Sequence, residues 1–283
     1  MVSKVMKTSM IMNVFLAVLK VISGFLLKSN ALISDGIHSF SDLLTDVFAI
    51  IGNKLSLKPA DKEHPYGHGK IEYLTSIVIG LIILWVGFEV IISSLKNPII
   101  IPSIWVLMVS LITITLKLLV SEYIIQKGKQ MKNNIVIASG KESRMDVISS
   151  IVVLLSVLFM QLSKFHKIFK YSDKVASILV GIFIIYSGFS IIKENISIIL
   201  GKQEDDEEFL NNLKRIILEN PKISHIDSLY LLKFGSTYEL CLTISMDGNI
   251  SLKKAHEMMD ILEEKIRKFD KKIEYINIHM EPT

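Results

Sequence analysis

Long apolar stretches dominate the first two-thirds of the chain. A helix needs about 20 mainly apolar residues to cross the hydrocarbon core of a bilayer. Six stretches meet that length, at 8–27, 31–57, 72–95, 100–125, 134–162 and 175–200. The pattern predicts an all-α membrane domain of six transmembrane helices over residues 1–200, embedded in the lipid bilayer as a multi-pass protein.

The pattern of apolar positions changes after the sixth stretch. Three segments alternate or run apolar as short strands do, at 225–235, 237–246 and 272–280. Two others have the period of amphipathic helices, at 204–220 and 251–269, the second with Ser251 as its expected N-cap. The order α-β-β-α-β predicts a small α+β domain, an open-faced sandwich, over residues 201–283.

Composition supports this division into two domains. Residues 201–283 hold 12 Lys+Arg against 16 Asp+Glu, and residues 1–200 hold 20 against 12. Half of the 283 residues are hydrophobic, which excludes a disordered chain, and the single cysteine, Cys241, excludes a disulfide framework. No GxxxxGK[ST] phosphate-binding loop is present, so the sequence gives no sign of nucleotide hydrolysis.

Basic loops predict the orientation in the membrane. Cytoplasmic loops carry an excess of lysine and arginine. Two loops on the side of the N-terminus are basic, with Lys54, Lys58, Lys62 and Lys70 in one and Lys127, Lys129 and Lys132 in the other. We therefore expect both termini in the cytoplasm and the protein in the cell membrane. The lysines between the fifth and sixth stretches argue against this orientation: Lys164, Lys167, Lys170 and Lys174.

Ionisable residues lie inside two of the apolar stretches. On a helix, Asp35, His38, Asp42 and Asp46 share one face of the second stretch, and Glu142 and Asp146 are one turn apart in the fifth. An acid in the membrane is costly and needs a partner or a function. Two aligned pairs on separate helices could close four ligands around a divalent transition metal, with the pair on the second stretch being either His38/Asp42 or Asp42/Asp46. The alternative is that these acids pair with intramembrane lysines, Lys20 or Lys117, for which Glu89 is another available partner.

A polar loop follows the second stretch. It carries Asp61, His64 and His68 within eight residues, on a turn held by Pro65 and Gly67. One carboxylate and two imidazoles are suitable ligands for a second metal ion. The alternative is a solvated loop without a metal.

These motifs resemble the cation diffusion facilitator family. The segments SDGIHSFSD, KPADKEHPYGHGK and ASGKESRMDV follow the family pattern in order and spacing, as does the ending KKAHEMMD…INIHMEP. The resemblance implies a six-helix transporter with a metallochaperone-like cytosolic domain, which works as a homodimer and exports a divalent metal in exchange for protons. Neither an organic cofactor nor a nucleic-acid partner is expected.

The resemblance also assigns the ligands. It places the transport site at His38, Asp42, Glu142 and Asp146, and the second site at Asp61, His64 and His68. Position 142 is more often His or Asp in the family. Three carboxylates and one imidazole make a harder site, which favours manganese or iron, although zinc also accepts such ligands.

Candidate ligands in the C-terminal domain are Asp227, His256, His279 and Glu281. The family often has histidines near the positions of Asp227 and Thr243, and this chain has none there, so a regulatory metal would use a reduced set. His225 is expected to be an exposed histidine at a strand edge.

Two other function classes compete with transport. A metal-dependent membrane hydrolase would use the same acids to activate water. His256 and Glu257 begin a segment close to the HExxH pattern of zinc hydrolases, but Asp260 replaces the second histidine. A membrane-anchored metal sensor would leave the intramembrane pairs without a function. A hydrolase would also need a general base and a clamp for the substrate oxygen, and the sequence offers neither. A metal/proton antiporter, in which protons and metal compete for the same ligands, is therefore favoured.

Overall fold

The protein is described by a computed structural model of residues 2–131, 134–164 and 166–283. Some side chains within these ranges are not described, at positions 2–4, 6, 45, 46, 48–50, 53, 134, 135, 138, 142 and 164. The predictions that concern the side chains of Asp46 and Glu142 therefore lie outside the described residues.

Seven helices make up the N-terminal part that the structure describes. They are α1 (Val2–Leu26), α2 (Asn30–Ser56), α3 (Ile71–Lys96), α4 (Trp105–Gln130), α5 (Asn134–Met145), α6 (Val147–Gln161) and α7 (Ser172–Ile199). Two short 3-10 turns, Leu162–Lys164 and Lys167–Tyr171, lie between α6 and α7. The predicted fifth stretch is thus divided, since α5 and α6 meet at Asp146.

Five described segments are long and apolar enough to span a membrane. They are Lys7–Leu26, Ile71–Lys96, Trp105–Gln130, Ser139–Gln161 and Lys167–Ile199. Helix α2 is also long enough, at 27 residues, but carries Asp35 and Asp42 in its interior. A helical membrane part followed by an α+β domain, as the sequence predicts, is confirmed.

Glycines bring three pairs of helices into close contact. A Cβ atom added at Gly36 would lie 2.6 Å from Val21 on α1, and one added at Gly140 would lie 2.7 Å from Ile125 on α4. One added at Gly188 on α7 would lie 2.9 Å from the carbonyl oxygen of Gly80 on α3. Small residues let helix backbones approach closely in membranes, where burial of apolar surface cannot drive packing. The pairs are α1–α2, α4–α5 and α3–α7.

The chain forms two compact units. The first comprises Met1–Val47 and Ile79–Ser190, and the second comprises Phe48–Val78 and Ile191–Thr283. The second unit therefore includes the polar loop after α2 together with the C-terminal sheet. The division into domains 1–200 and 201–283 stays a prediction.

The C-terminal part has the predicted order of elements. It consists of α8 (Glu207–Leu218), β1 (Ile223–Phe234), β2 (Thr237–Met246), α9 (Leu252–Phe269) and β3 (Ile273–Pro282). The sheet order is β1-β2-β3, with β1 antiparallel and β3 parallel to β2. Leu213 of α8 and Leu262 and Ile266 of α9 pack against Leu231 and Leu240 of the sheet in one apolar core. Ser251 has the extended backbone of an N-cap, although its hydroxyl makes no capping hydrogen bond.

The segment before α8 covers part of the outer edge of β1. Gln203 forms an antiparallel bridge with Leu232, and the Glu204 N–H donates to the carbonyl of Leu231 at 2.8 Å. The buried Glu204 carboxylate accepts a hydrogen bond from the Tyr238 hydroxyl at 2.9 Å and pairs with Lys233 at 3.3 Å. Burial, together with this carboxylate, raises the pKa of Tyr238.

Candidate metal centre

Three of the four predicted transport ligands lie together. One ligand atom each from His38, Asp42 and Asp146 falls within 4.8 Å of the other two, and we call these residues the helix cluster. The nearest nitrogen and oxygen of His38 and Asp42, one turn apart on α2, are 3.9 Å apart. The backbone of Glu142 lies on α5, one turn before Asp146. An imidazole and carboxylates at these distances form a set of ligands that a divalent transition metal could gather.

Asp146 lies where α5 ends and α6 begins. Its backbone remains in the right-handed helical region, with φ −62° and ψ −18°. The Ser149 hydroxyl donates to its carbonyl oxygen at 2.8 Å. The same hydroxyl lies 2.7 Å from Asp35 Oδ1, so its single proton is shared between the two acceptors. The junction of α5 and α6 places a candidate ligand next to a polar backbone group.

Lys117 of α4 forms an ion pair with one member of the helix cluster. Its ammonium lies 3.2 Å from Asp146 Oδ2 and donates to Asn13 Oδ1 of α1 at 3.0 Å. The sequence left open whether this acid is a ligand or the partner of a lysine. The structure shows the ion pair, at a carboxylate that also belongs to the helix cluster.

Asp35 belongs to a second buried network, which shares the Ser149 hydroxyl with the backbone carbonyl of Asp146. It pairs with Lys20 at 2.8 Å and accepts hydrogen bonds from the hydroxyls of Ser149 and Ser150 at 2.7 and 2.8 Å. Lys20 also donates to Ser39 and Ser150, at 3.2 and 2.9 Å. The alternative of an ion pair therefore accounts for Asp35. Sequence reasoning missed these serines, although two adjacent polar residues in the apolar run of α6 were a visible signal.

The predicted second site is assembled on the loop after α2. Ligand atoms of Asp61, His64 and His68 all lie within 4.8 Å of one another, and we call these residues the loop site. Asp61 Oδ1 is 3.3 Å from His64 Nδ1, and Asp61 Oδ2 is 3.5 Å from His68 Nε2. Gly67 has a φ of 78°, a left-handed turn conformation that glycine adopts without strain.

Hydrogen bonds fix the Asp61 carboxylate in this loop. It accepts from the backbone N–H groups of His64 at 2.8 Å and Glu63 at 3.0 Å, and it pairs with Lys58 at 3.1 Å. The His64 N–H and the Lys58 ammonium hold the pKa of the Asp61 carboxyl well below its usual range. The carboxylate is therefore ionised at neutral pH, as a metal ligand must be.

The loop packs against the turn between β1 and β2, within the second unit. The Tyr73 hydroxyl accepts a hydrogen bond from the Gly235 N–H at 2.8 Å. The Lys70 ammonium lies 5.3 Å from the centre of the Phe234 ring, and the rings of Tyr66 and Tyr275 are 5.1 Å apart. The loop site is thus held between the start of α3 and the C-terminal sheet.

The C-terminal candidates form separate pairs rather than one site. The Asp227 carboxylate binds His225 Nε2 at 2.8 Å and the Ser245 hydroxyl at 2.7 Å. His279 pairs with Glu281 at 3.1 Å. His256 pairs with Asp260, one turn further along α9, at 3.4 Å. Residues 201–283 are all described, and within them no three such ligands come together in one chain. His225, expected to be an exposed histidine at a strand edge, has a side chain that is 58% exposed, and it pairs with Asp227.

Comparison with known proteins covers both parts of the chain. A model of the cation efflux transmembrane domain matches residues 6–200, and a model of the cation efflux protein cytoplasmic domain matches residues 206–283. A solved structure, the metal-bound C-terminal domain of the CzcD transporter from Thermotoga maritima, is 22% identical, with a TM-score of 0.27. That match covers 29% of this chain and 94% of the other.

Similar full-length proteins are also transporters by name. An uncharacterized transporter of Methanocaldococcus jannaschii is 28% identical over 284 residues, which cover 99% of this chain and 98% of the relative. The manganese efflux system protein MneP of Bacillus subtilis is 28% identical over 287 residues, which cover 99% and 95%. The chain therefore belongs to the cation efflux family, the cation diffusion facilitators, which are multi-pass membrane transporters of metal cations and not enzymes.

Proposed function

We propose that this protein exports manganese or ferrous iron from the cytosol in exchange for protons. The observation that carries the proposal is the meeting of His38 and Asp42 on α2 with Asp146 between α5 and α6. Acids inside membrane helices are expensive and persist where they have a function. The proposed transport site is the helix cluster together with Glu142.

The metal preference follows from the ligand types. One imidazole with three carboxylates is harder than a site with two imidazoles, and hard oxygen ligands suit manganese and iron. The manganese efflux protein MneP, similar over 99% of this chain, supports manganese. Zinc also binds such a set in tetrahedral geometry and is therefore included as a competitor in the test.

Proton exchange follows from the same ligands. Carboxylates and imidazole bind metal only in their deprotonated forms, so protons and metal exclude one another. Metal arriving from the cytosol displaces protons, and protons arriving from the other side displace metal. Rocking of the helices around a fixed site would expose it to each side in turn, as in other secondary transporters.

The remaining sites are assigned to the cytoplasmic side. We place both termini, the loop site and the C-terminal domain there, and we propose that two copies pair through the C-terminal domain. Because Asp227, His256, His279 and Glu281 form separate pairs within one chain, a regulatory metal in this domain would need ligands from both copies.

Transport into liposomes tests the proposal. The purified protein is reconstituted, a proton gradient is imposed, and uptake of manganese, ferrous iron and zinc is measured. We expect gradient-dependent uptake, with manganese or iron ahead of zinc, and a loss of more than about tenfold in Asp146→Ala. Glu122→Ala, at an exposed acid of α4 outside the site, is the matched control and should transport normally. If the wild type moves no metal under any gradient, the sensor hypothesis replaces transport.

A second variant tests the assignment of the metal. Replacing Glu142 by His gives two imidazoles and two carboxylates, a softer site. We expect Glu142→His to raise zinc uptake relative to manganese in the same liposomes. An unchanged ranking would show that position 142 does not set the metal preference.

A further inference from the structure

Among the described side chains of the first unit, two lysines are buried, and they are held by different partners. Lys20 is 3% exposed and makes three contacts, with the Asp35 carboxylate and the Ser39 and Ser150 hydroxyls. An ammonium has three donors, so this network satisfies all of them. None of its members belongs to the helix cluster. Lys20 and Asp35 therefore form a structural ion pair in which every donor of the ammonium has an acceptor.

Lys117 is also buried, with 8% of its side chain exposed, but its charge partner has a second role. Its ammonium pairs with Asp146 and otherwise contacts the neutral amide of Asn13. Asp146 is at the same time within 4.8 Å of ligand atoms of His38 and Asp42. A metal ion held by these residues would share a carboxylate with an ammonium, and like charges at such short range repel strongly where water is scarce.

We propose that Lys117 is a tethered counter-cation of the transport site, which competes with the transported metal for Asp146. The inference rests on the proposed function, because that function assigns Asp146 to the metal. Each arriving ion must weaken the ion pair between Lys117 and Asp146 before it is fully bound. Each departing ion is replaced at Asp146 by the ammonium, which favours release.

The charges of the site agree with this role. In the deprotonated form that binds metal, the three carboxylates of the proposed site and the Lys117 ammonium would sum to a net charge of minus two, which one divalent ion balances. Without the ammonium, the site would carry a net charge of minus three and hold the same ion more tightly. A transporter needs binding that is favourable enough to admit an ion and weak enough to let it leave. Lys117 shifts the balance toward release.

Substitutions at the two lysines separate this role from a structural one. Lys117→Met removes the charge but keeps most of the length of the side chain. Lys117→Arg keeps the charge, and Lys20→Met removes a buried ammonium from the other network. Manganese uptake into liposomes gives KM and the maximal rate, and calorimetry of the full chain in detergent gives Kd.

We expect Lys117→Met to lower Kd and KM for manganese about tenfold or more, with a lower maximal rate because release becomes slow. Lys117→Arg should stay close to wild type in KM. Lys20→Met should lower the melting temperature without changing KM. If Lys117→Met does not fold, Lys117→Gln, which still donates a hydrogen bond to Asp146, takes its place.

Two results would overturn the inference and leave transport intact. One is an unchanged KM and maximal rate in Lys117→Met while Asp146→Ala abolishes uptake. The other is weaker manganese binding together with lower stability in both Lys117 variants, which would mean that Lys117 only holds the helices together. Absence of uptake by the wild type would instead refute the proposed function itself.

Discussion

Lys28 has a backbone conformation that lysine seldom adopts. Its φ is 60°, in the left-handed region, where a Cβ atom is crowded by the following carbonyl. The residue terminates α1: the Ser29 N–H donates to the Gly24 carbonyl at 2.9 Å, and the Lys28 N–H donates to the Phe25 carbonyl at 3.4 Å. Glycine is the usual residue at this position of a helix terminus. Lysine therefore costs stability here.

Lys28→Gly should stabilise the protein. Relief of the crowded Cβ outweighs the greater freedom of glycine in the unfolded chain, and we expect a gain of about 0.5–1 kcal/mol in the free energy of unfolding. Thermal unfolding in detergent measures it. Lys28→Ala keeps the Cβ and should give no such gain. A drop in melting temperature for Lys28→Gly would contradict this interpretation of the terminus.

At the scale of elements, the sequence predicted what regular patterns determine. The apolar stretches yielded α1, α3, α4 and α7, and alternation yielded the order of strands and helices after residue 201. The break at Asp146 was not predicted, because the apolar stretch 134–162 runs through this position and contains no proline.

The candidate sites show the same limit. Helical spacing placed His38 and Asp42 on one face of α2, and proximity along the chain grouped Asp61 with His64 and His68. Neither kind of spacing could decide which lysine meets which acid. The pairing depends on which helices are neighbours and on how far along its helix each side chain lies. Only the fold determines both. The sequence therefore could not decide whether Asp35 is a ligand or an ion-pair partner, and the contact with Lys20 identifies it as an ion-pair partner.

The Tyr73 hydroxyl forms the hydrogen bonds between the start of α3 and the β1–β2 turn. Tyr73, 6% exposed, accepts from the Gly235 N–H and donates to the Gly235 carbonyl at 3.3 Å. Tyr73→Phe leaves a backbone N–H without its acceptor, and we expect a loss of about 1–2 kcal/mol in the free energy of unfolding. Denaturant unfolding of the full chain measures it. Tyr186→Phe, at a tyrosine that is 72% exposed, should have almost no effect, and equal losses in both variants would refute the assignment.

For the molecule as a whole, the segment that covers the edge of β1 determines where the C-terminal domain begins. Uncovered strand edges pair with other chains. The bridge from Gln203 and the buried Glu204 cover part of one edge, and both residues precede α8. The domain has its own apolar core, so fragments of it can be compared directly.

A fragment of residues 206–283 should be less stable than one of residues 201–283. It lacks the hydrogen bond from Glu204 to Leu231 and the carboxylate that binds Tyr238, and we expect a loss of about 1–3 kcal/mol. Urea unfolding measures stability, and light scattering measures association. Identical stability and solubility of the two fragments would show that the segment does not protect the edge.

The three glycine-mediated helix pairs differ in how far apart along the chain their members lie, and this sets the order in which they can form during synthesis. Helices α1 and α2 are consecutive, and so are α4 and α5, so each pair can close as soon as its second helix has been made. The pair of α3 and α7 can form only after α7 has been made, because Gly188 of α7 packs against Gly80 of α3. Because chains are made from the N-terminus onward, the α3–α7 contact is the last of the three to assemble. Helix α3 must remain in the membrane without this partner until then.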